Sequence, residues 1–302
     1  MKMGFVGLGL MGGALARNLI RAGYELMVYD LREEAIQRTL AVGGSGRGAQ
    51  SLGELGGCEL VFTSLPLPRH VEEVMSGPQG LYGKMPPGGI HVELSTIDPA
   101  SAMALAGEAK AQQIAYIQCT LGKTPAQAEK AQEPMFIGGD QEAIAKLEAI
   151  FKVMGIACPV GTIAASCAVK LISNLIGMTN LAVLAEGLRV GEKAGLDKNL
   201  LLELLADTGA RSFQMDVRGP WLAAADFTAR FGLDLALKDV RLGLEMARGF
   251  GLELGAMEAA LGYYTKASAA GYGLEDCNAV LKVIGDKAPL PSNTATHGQR
   301  PQ

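Results

Sequence analysis

The feature that most limits what this chain can fold into lies at its start. The short apolar run Met3 to Val6 passes directly into Gly7-Leu8-Gly9-Leu10-Met11-Gly12, and Gly13 to Ala22 continue at helical spacing. Strand, glycine turn and helix start in that order have one well-known use. The first glycine makes the turn, the second lets a ligand approach the backbone, and the third lets helix pack closely on strand. A helix N-terminus there offers free N–H groups to an anion, so Gly7, Leu8, Gly9, Leu10, Met11 and Gly12 are expected to cradle a pyrophosphate. The second strand, Leu26 to Tyr29, runs into Asp30, where a carboxylate can accept from both ribose hydroxyls of an adenosine. Its charge repels a 2′-phosphate, so NAD is the expected cofactor. Leu31 and Arg32 complete this contact set; Arg32 either swings toward a phosphate or stays a solvated first-turn residue, which keeps NADP open as the alternative.

Further apolar runs at Leu60 to Thr63, Ile90 to Leu94, Ala115 to Gln118, Met135 to Ile137 and Ala157 to Val160 alternate with helical patterns at Arg32 to Ala41, Pro99 to Gln112 and Gln141 to Val153. Such repeats predict a parallel sheet covered on both faces. After Gly161 the strand signals stop. Ile163 to Lys193 holds no proline and reads as one long helix, which at 1.5 Å per residue would span roughly 45 Å. Helical segments then follow near Lys198 to Ala206, Leu233 to Arg248, Ala256 to Ala270 and Asp276 to Ile284. The fold class predicted is α/β: a Rossmann-type doubly wound sheet domain (residues 1–161) joined by a long helix to an all-helical domain (162–285), with a flexible tail (286–302) rich in proline and small polar residues.

Composition excludes several functions. With 27 basic against 31 acidic residues the chain lacks the basic excess that nucleic-acid binding needs, and its few aromatics form no stacking series. Apolar residues make up 49% of the chain, yet no run of eighteen or more escapes polar interruption, so no membrane partner is expected. The five cysteines are scattered without a Cys-x-x-Cys pair or a histidine at ligand spacing, which predicts no metal and a reducing, cytoplasmic setting.

The opening segment, together with Asn18-Leu19 and Ala22-Gly23-Tyr24, resembles the 3-hydroxyisobutyrate dehydrogenase family, the β-hydroxyacid dehydrogenases. Leu65-Pro66 is similar to that family's cofactor-contacting loop. Glu93-Leu94-Ser95-Thr96 resembles its Asp-x-Ser-Thr segment, with glutamate in first place. Val169-Lys170-Leu171-Ile172-Ser173-Asn174 matches its lysine helix, and Phe231 to Asp239 matches the helix that closes its cleft. The resemblance runs to about Gly285. It implies an oxidoreductase in which Lys170 is the catalytic acid and base and Asn174 binds substrate. It further implies that Thr96, Phe231 and Asp239 line the cleft, that Lys238 and Thr96 lie near the cofactor, and that the chain forms a homodimer or homotetramer.

Taken by themselves, these residues allow more than one reading. A lysine on an apolar helix start either snorkels to solvent or sits in a cleft, where desolvation lowers its pKa and suits it to exchange a proton with a carbonyl oxygen. Lys170, Asn174 and Met178 follow at i, i+4 and i+8, so they form one face of a cavity or pack between helices. Where the resembling family has a Ser-Gly-Gly loop that holds the substrate carboxylate, this chain has Gly122-Lys123-Thr124. Its form is similar to the sulfolactaldehyde reductase branch, which also accepts succinic semialdehyde. The lysine adds charge without arginine's planar fork. It is expected to meet a small anionic substrate, the alternative being a solvent-facing loop lysine; Cys119 nearby is expected to be filler.

The expected activity is a NAD(H)-dependent hydroxyacid dehydrogenase or semialdehyde reductase. Its rivals are a 3-hydroxyisobutyrate or tartronate semialdehyde type enzyme using NADP, a decarboxylating enzyme like 6-phosphogluconate dehydrogenase, and a non-catalytic dinucleotide-sensing module.

Overall fold

A computed structural model describes residues 1–285, and the expected tail lies outside the described residues. The first half holds β1 (Met3–Val6), α1 (Leu10–Arg21), β2 (Leu26–Tyr29), α2 (Glu33–Leu40), β3 (Gly46–Gly48), β4 (Leu60–Thr63), α3 (Pro68–Met75), β5 (Ile90–Glu93), α4 (Pro99–Ala111), β6 (Ala115–Leu121), α5 (Pro125–Glu129), β7 (Pro134–Gly139), α6 (Gln141–Lys146), α7 (Glu148–Met154) and β8 (Ile156–Gly161). The second half holds α8 (Ile163–Lys193), α9 (Lys198–Leu205), α10 (Phe213–Ala223), α11 (Leu233–Gly249) and α12 (Gly255–Ala267), then irregular turns to Val283.

The strands form one eight-stranded sheet in the order β3-β2-β1-β4-β5-β6-β7-β8. From β3 to β6 all pairs are parallel, so β1 and β4 are neighbours whose C-terminal ends open a crevice on the ligand side of the sheet. The all-parallel expectation fails at β7, which runs antiparallel to β6, while β8 lies parallel to β7. The cause is local: α5 has only 5 residues, and Asn18 on α1 holds its end by donating to the Ala128 carbonyl at 2.8 Å. Arg17 and Arg21 on α1 also pair with Glu129, so the chain after β6 turns back beside the sheet and never crosses over it.

Several elements escape a reading by periodicity. Strand β3 is Gly-Arg-Gly at a sheet edge and carries no apolar signal. Helix α10 contains Pro220, and the segment Gln141 to Val153 is two helices meeting at Leu147. The turn after α12 breaks where Gly271 takes φ +89°, and the segment Cys277–Val283 is a 3-10 helix.

Helix α8 joins the halves. Thr162 caps it by accepting the Ala165 N–H at 3.1 Å. Ser166 in its first turn donates to the Phe136 carbonyl of β7 at 2.6 Å, and Thr120 of β6 donates to the Ser166 carbonyl at 2.9 Å. A Cβ on Gly138 would lie 2.0 Å from the Thr162 carbonyl oxygen, so this approach of helix to strand requires glycine. Farther along, Leu171, Leu175, Met178, Leu181, Ala185 and Leu188 form a buried stripe in α8, most of it within the apolar core shared with Leu237, Val240 and Leu244 of α11. By length and composition α8 is the one described helix that passes a membrane-span test. That stripe accounts for much of its apolar content.

Candidate functional site

Each glycine of the first loop does what its position requires. Gly7 takes φ +90°, and a Cβ there would lie 2.3 Å from the Ser64 carbonyl oxygen. A Cβ on Gly12 would lie 2.1 Å from the Gly7 carbonyl oxygen, so α1 could not seat against β1 with any other residue. Gly9, by contrast, faces open space: no protein atom lies within 4 Å of where its Cβ would be. Helix α1 has neither a side-chain cap nor an acidic residue in its first turn, which leaves its N-terminal N–H groups to an anion. This cradle fits the pyrophosphate of a dinucleotide.

Asp30 lies mostly buried at the end of β2. It accepts the Leu8 N–H at 2.7 Å and the Arg32 N–H at 2.9 Å, and the Arg32 side chain lies 3.2 Å from the same oxygen. Burial pushes its pKa up, but the Arg32 side chain and these N–H groups outweigh burial and hold the carboxyl below its usual value. Arg32 is therefore folded onto Asp30, while Leu31 is exposed. At the facing strand ends, the Leu65 N–H donates to Ser95 at 2.7 Å, which links the loop after β4 to the loop after β5; Pro66 is exposed beside it.

Beneath that loop is a polar network with no solvent access. Glu93 accepts from Thr63 at 2.5 Å and from the Ser95 N–H at 2.5 Å; His91 lies 2.7 Å from both Thr63 Oγ1 and the Tyr82 hydroxyl. When Glu93 is ionised the single Thr63 proton goes to it, so the His91 Nε2–H donates to Thr63 and Tyr82 donates to Nδ1. Burial raises the Glu93 pKa to about 7 and lowers that of His91 to about 3, so the imidazole is neutral. The glutamate that departs from the family's aspartate is thus the centre of a hydrogen-bonded support for Ser95 and Thr96. His91 lies in a strand with neither hydrogen-bond partner near it in sequence, because Tyr82 and Thr63 are joined to it by folding and not by spacing.

Lys170 sits one turn beyond Ser166, the residue bonded to β6 and β7, and is partly buried. Burial drives its pKa below the usual lysine value, against the charges of Asp239 and Glu133, which favour the ammonium, while Lys238 opposes it. Among the described residues Lys170 forms no ion pair within 4 Å. Asn174, on the same face, donates to Asp239 at 2.5 Å. Lys238 reaches across from α11 to the Thr96 carbonyl at 2.7 Å and to Asp239 at 3.0 Å, joining the two halves at the cleft. Phe231 is held through its N–H by the buried Asp276 carboxylate at 2.8 Å. Met178 does not line the cleft: it is 3% exposed and packs in the apolar core of the helical half.

The loop Gly122-Lys123-Thr124 follows β6. Lys123 is exposed and has no ion-pair partner among the described residues; Thr124 donates to Gln127 at 3.0 Å. A Cβ on Gly122 would press on Pro134 and Phe136 at 3.0–3.1 Å, so a serine would fit poorly here. The Lys123 N–H donates to the carboxylate of Glu133, a buried residue that its single occurrence in a polar stretch had not singled out. A cavity of about 440 Å³ opens beside Lys238, lined also by Leu67, Leu237 and Arg241; Lys170 is not part of its wall.

Two family descriptions together match almost the whole of residues 2–284. Residues 2–164 match the NAD binding domain of 6-phosphogluconate dehydrogenase. Residues 164–284 match the NAD-binding region of NADP-dependent 3-hydroxyisobutyrate dehydrogenase. The chain is 31% identical to 2-(hydroxymethyl)glutarate dehydrogenase of Eubacterium barkeri, over 93% of this chain and 94% of that protein. It is 30% identical to L-threonate dehydrogenase of Cupriavidus necator, over 94% and 96%. The crystal structure of 3-hydroxyisobutyrate dehydrogenase from Salmonella typhimurium superposes with a TM-score of 0.87 at 26% identity, covering 94% of this chain and 100% of that one. A dinucleotide cradle, a desolvated lysine and these likenesses over nearly the full described length agree: the chain belongs to the 3-hydroxyisobutyrate dehydrogenase family, oxidoreductases acting on CH–OH groups with NAD(P).

Proposed function

We propose that this protein is a NAD-preferring reductase of a small aldehyde bearing an anionic group, sulfolactaldehyde-like or succinic-semialdehyde-like, and the dehydrogenase of the matching hydroxy acid. The observation that carries the reading is Lys170: an ammonium held in a partly dry cleft beside two carboxylates and unpaired by either. The nicotinamide dinucleotide, bound by Gly7 to Gly12, Asp30 and the Leu65-Pro66 loop, supplies or accepts the hydride. Lys170 gives its proton to the carbonyl oxygen as negative charge develops there, and takes it back in oxidation. Asn174 gives one amide N–H to Asp239 and has its amide oxygen and second N–H to offer the substrate. Lys123 and Thr124 attract the acid group and set its distance from Lys170. The charge of Asp30 supports NAD over NADP.

Lys170→Ala tests the mechanism. Cofactor binding, followed by fluorescence titration, should stay within about twofold, while turnover falls by several orders of magnitude, given that general acid catalysis alone contributes roughly 10²–10⁴. Absorbance assays of NADH oxidation with a panel of short aldehyde acids test the substrate. Turnover of methylmalonate semialdehyde with sulfolactaldehyde and succinic semialdehyde both ignored would remove Lys123 from the acid site.

A further inference from the structure

Between α5 and β7 the side chain of Glu133 folds back under the substrate loop. Its residue surface is fully buried. One carboxylate oxygen accepts the Lys123 N–H; the other is buried with no hydrogen-bond partner among the described residues. The charged groups that face it are Lys123, in the loop before α5, and Lys170 on α8; the buried thiol of Cys119 on β6 also faces it and is neutral. Glu133 is therefore a fixed negative charge placed between the cation that is to hold the substrate's acid group and the cation that is to protonate its carbonyl.

We infer that Glu133 is a positioning and specificity-determining residue of this cleft: it withdraws the Lys123 N–H from the substrate, repels an acid group seated deep in the loop, and acts as counter-charge to Lys170. An anion can then be held only by the Lys123 ammonium and the outer part of the loop. The substrates that fit are those whose acid group stands two or more carbons from the carbonyl, and aldehyde carboxylic acids of two or three carbons in all are disfavoured. This rests on the aldehyde-acid reading above.

Burial lifts the Glu133 pKa to about 6, against the pull of the Lys123 N–H and the Lys170 charge, so it is ionised at neutral pH. An ionised Glu133 favours the protonated form of Lys170, as does Asp239, while Lys238 disfavours it. Removing the charge lowers the pKa of Lys170. Reduction needs protonated Lys170, so the limb on which activity falls with rising pH moves to lower pH.

The test uses Glu133→Gln, which keeps an acceptor for the Lys123 N–H, and Glu133→Leu, which keeps neither acceptor nor charge. For each, kcat/KM is measured across two- to five-carbon ω-aldehyde acids, with a pH profile of reduction. Glu133→Gln should raise the ratio of three-carbon to four-carbon kcat/KM about tenfold and move the basic limb down by about one pH unit, a usual size for the loss of one nearby charge. An unchanged ratio and an unchanged limb would overturn the assignment, even in a fully active enzyme. If the wild type reduces no aldehyde acid, the substrate reading fails by itself. Glu133 is then judged by the pH dependence of Lys170 modification with an amine reagent, followed by mass spectrometry: a downward shift in Glu133→Gln supports it, and coincident curves reject it.

Discussion

Asn174 donates to Asp239 at 2.5 Å, and through that bond the helix that carries Lys170 is tied to the helix that carries Lys238. Asp239 is 2% exposed and faces two lysines, so its charge rather than its shape is what the cleft uses. Asp239→Asn retains an acceptor for Asn174 and loses that charge. The Lys170 pKa, already lowered by burial, should fall further. In the reductive direction the basic limb of the pH profile should move down by about one unit, with the melting temperature changed by only a few degrees. A basic limb that stays where it is would dissociate Asp239 from the proton step.

Asp30 gives a second prediction, about cofactor choice. Asp30→Asn keeps an acceptor for one of the Leu8 and Arg32 N–H groups, which Asp30 accepts on separate oxygens, and releases the Arg32 side chain from an ionic partner. The ratio of kcat/KM for NAD over that for NADP should fall about tenfold, equivalent to roughly 1.4 kcal/mol. Steady-state kinetics with both cofactors measure it.

Glu93 predicts a pH-dependent stability. Its pKa is raised to about 7 from an unfolded value of 4.5. Between those values the folded state holds a proton that the unfolded state has released, so this group's contribution to stability is full below about pH 4.5 and is lost as pH rises through about 7. Glu93→Gln has no such dependence. The melting temperature of the variant relative to the wild type should therefore rise between pH 5 and pH 8, as read by thermal scans in matched buffers; a constant difference would show that Glu93 ionises normally in the fold.

The outward side of α8 predicts self-association. Ile172, Ile176, Val183 and Val190 are all exposed and follow at steps of four, seven and seven residues, which places them within about 40° of one another around the helix. A stripe of that kind is what a second copy of the chain would cover. Sedimentation of the wild type should give a dimer or tetramer, and Val183→Glu with Val190→Glu should shift it toward monomer. A monomeric wild type would refute the assembly.

Much of the cleft was legible before folding because its chemistry is local. Gly7, Gly9 and Gly12 share one turn and Asp30 closes the next strand, so spacing carries them, whereas Lys170 and Asn174, one helical turn apart, were singled out by the family resemblance. The bounds of α8, Ile163 to Lys193, were equally plain, because nothing in that stretch interrupts a helix. Strand β3 and helix α10 were hidden for the opposite reason. A Gly-Arg-Gly edge strand has no pattern to detect, and Pro220 reads as a break.

What the sequence determined by itself was therefore the cofactor loop, seven of the eight strands in their order along the chain, and a lysine on the helix that follows. The tertiary structure alone decided that β7 reverses against β6, that Met178 belongs to a core, that His91 and Glu93 share a buried network, and that Glu133 stands between Lys123 and Lys170. The division has one physical origin. Backbone geometry is set by neighbours within a turn, whereas the charge a buried group feels depends on residues that only packing brings near it.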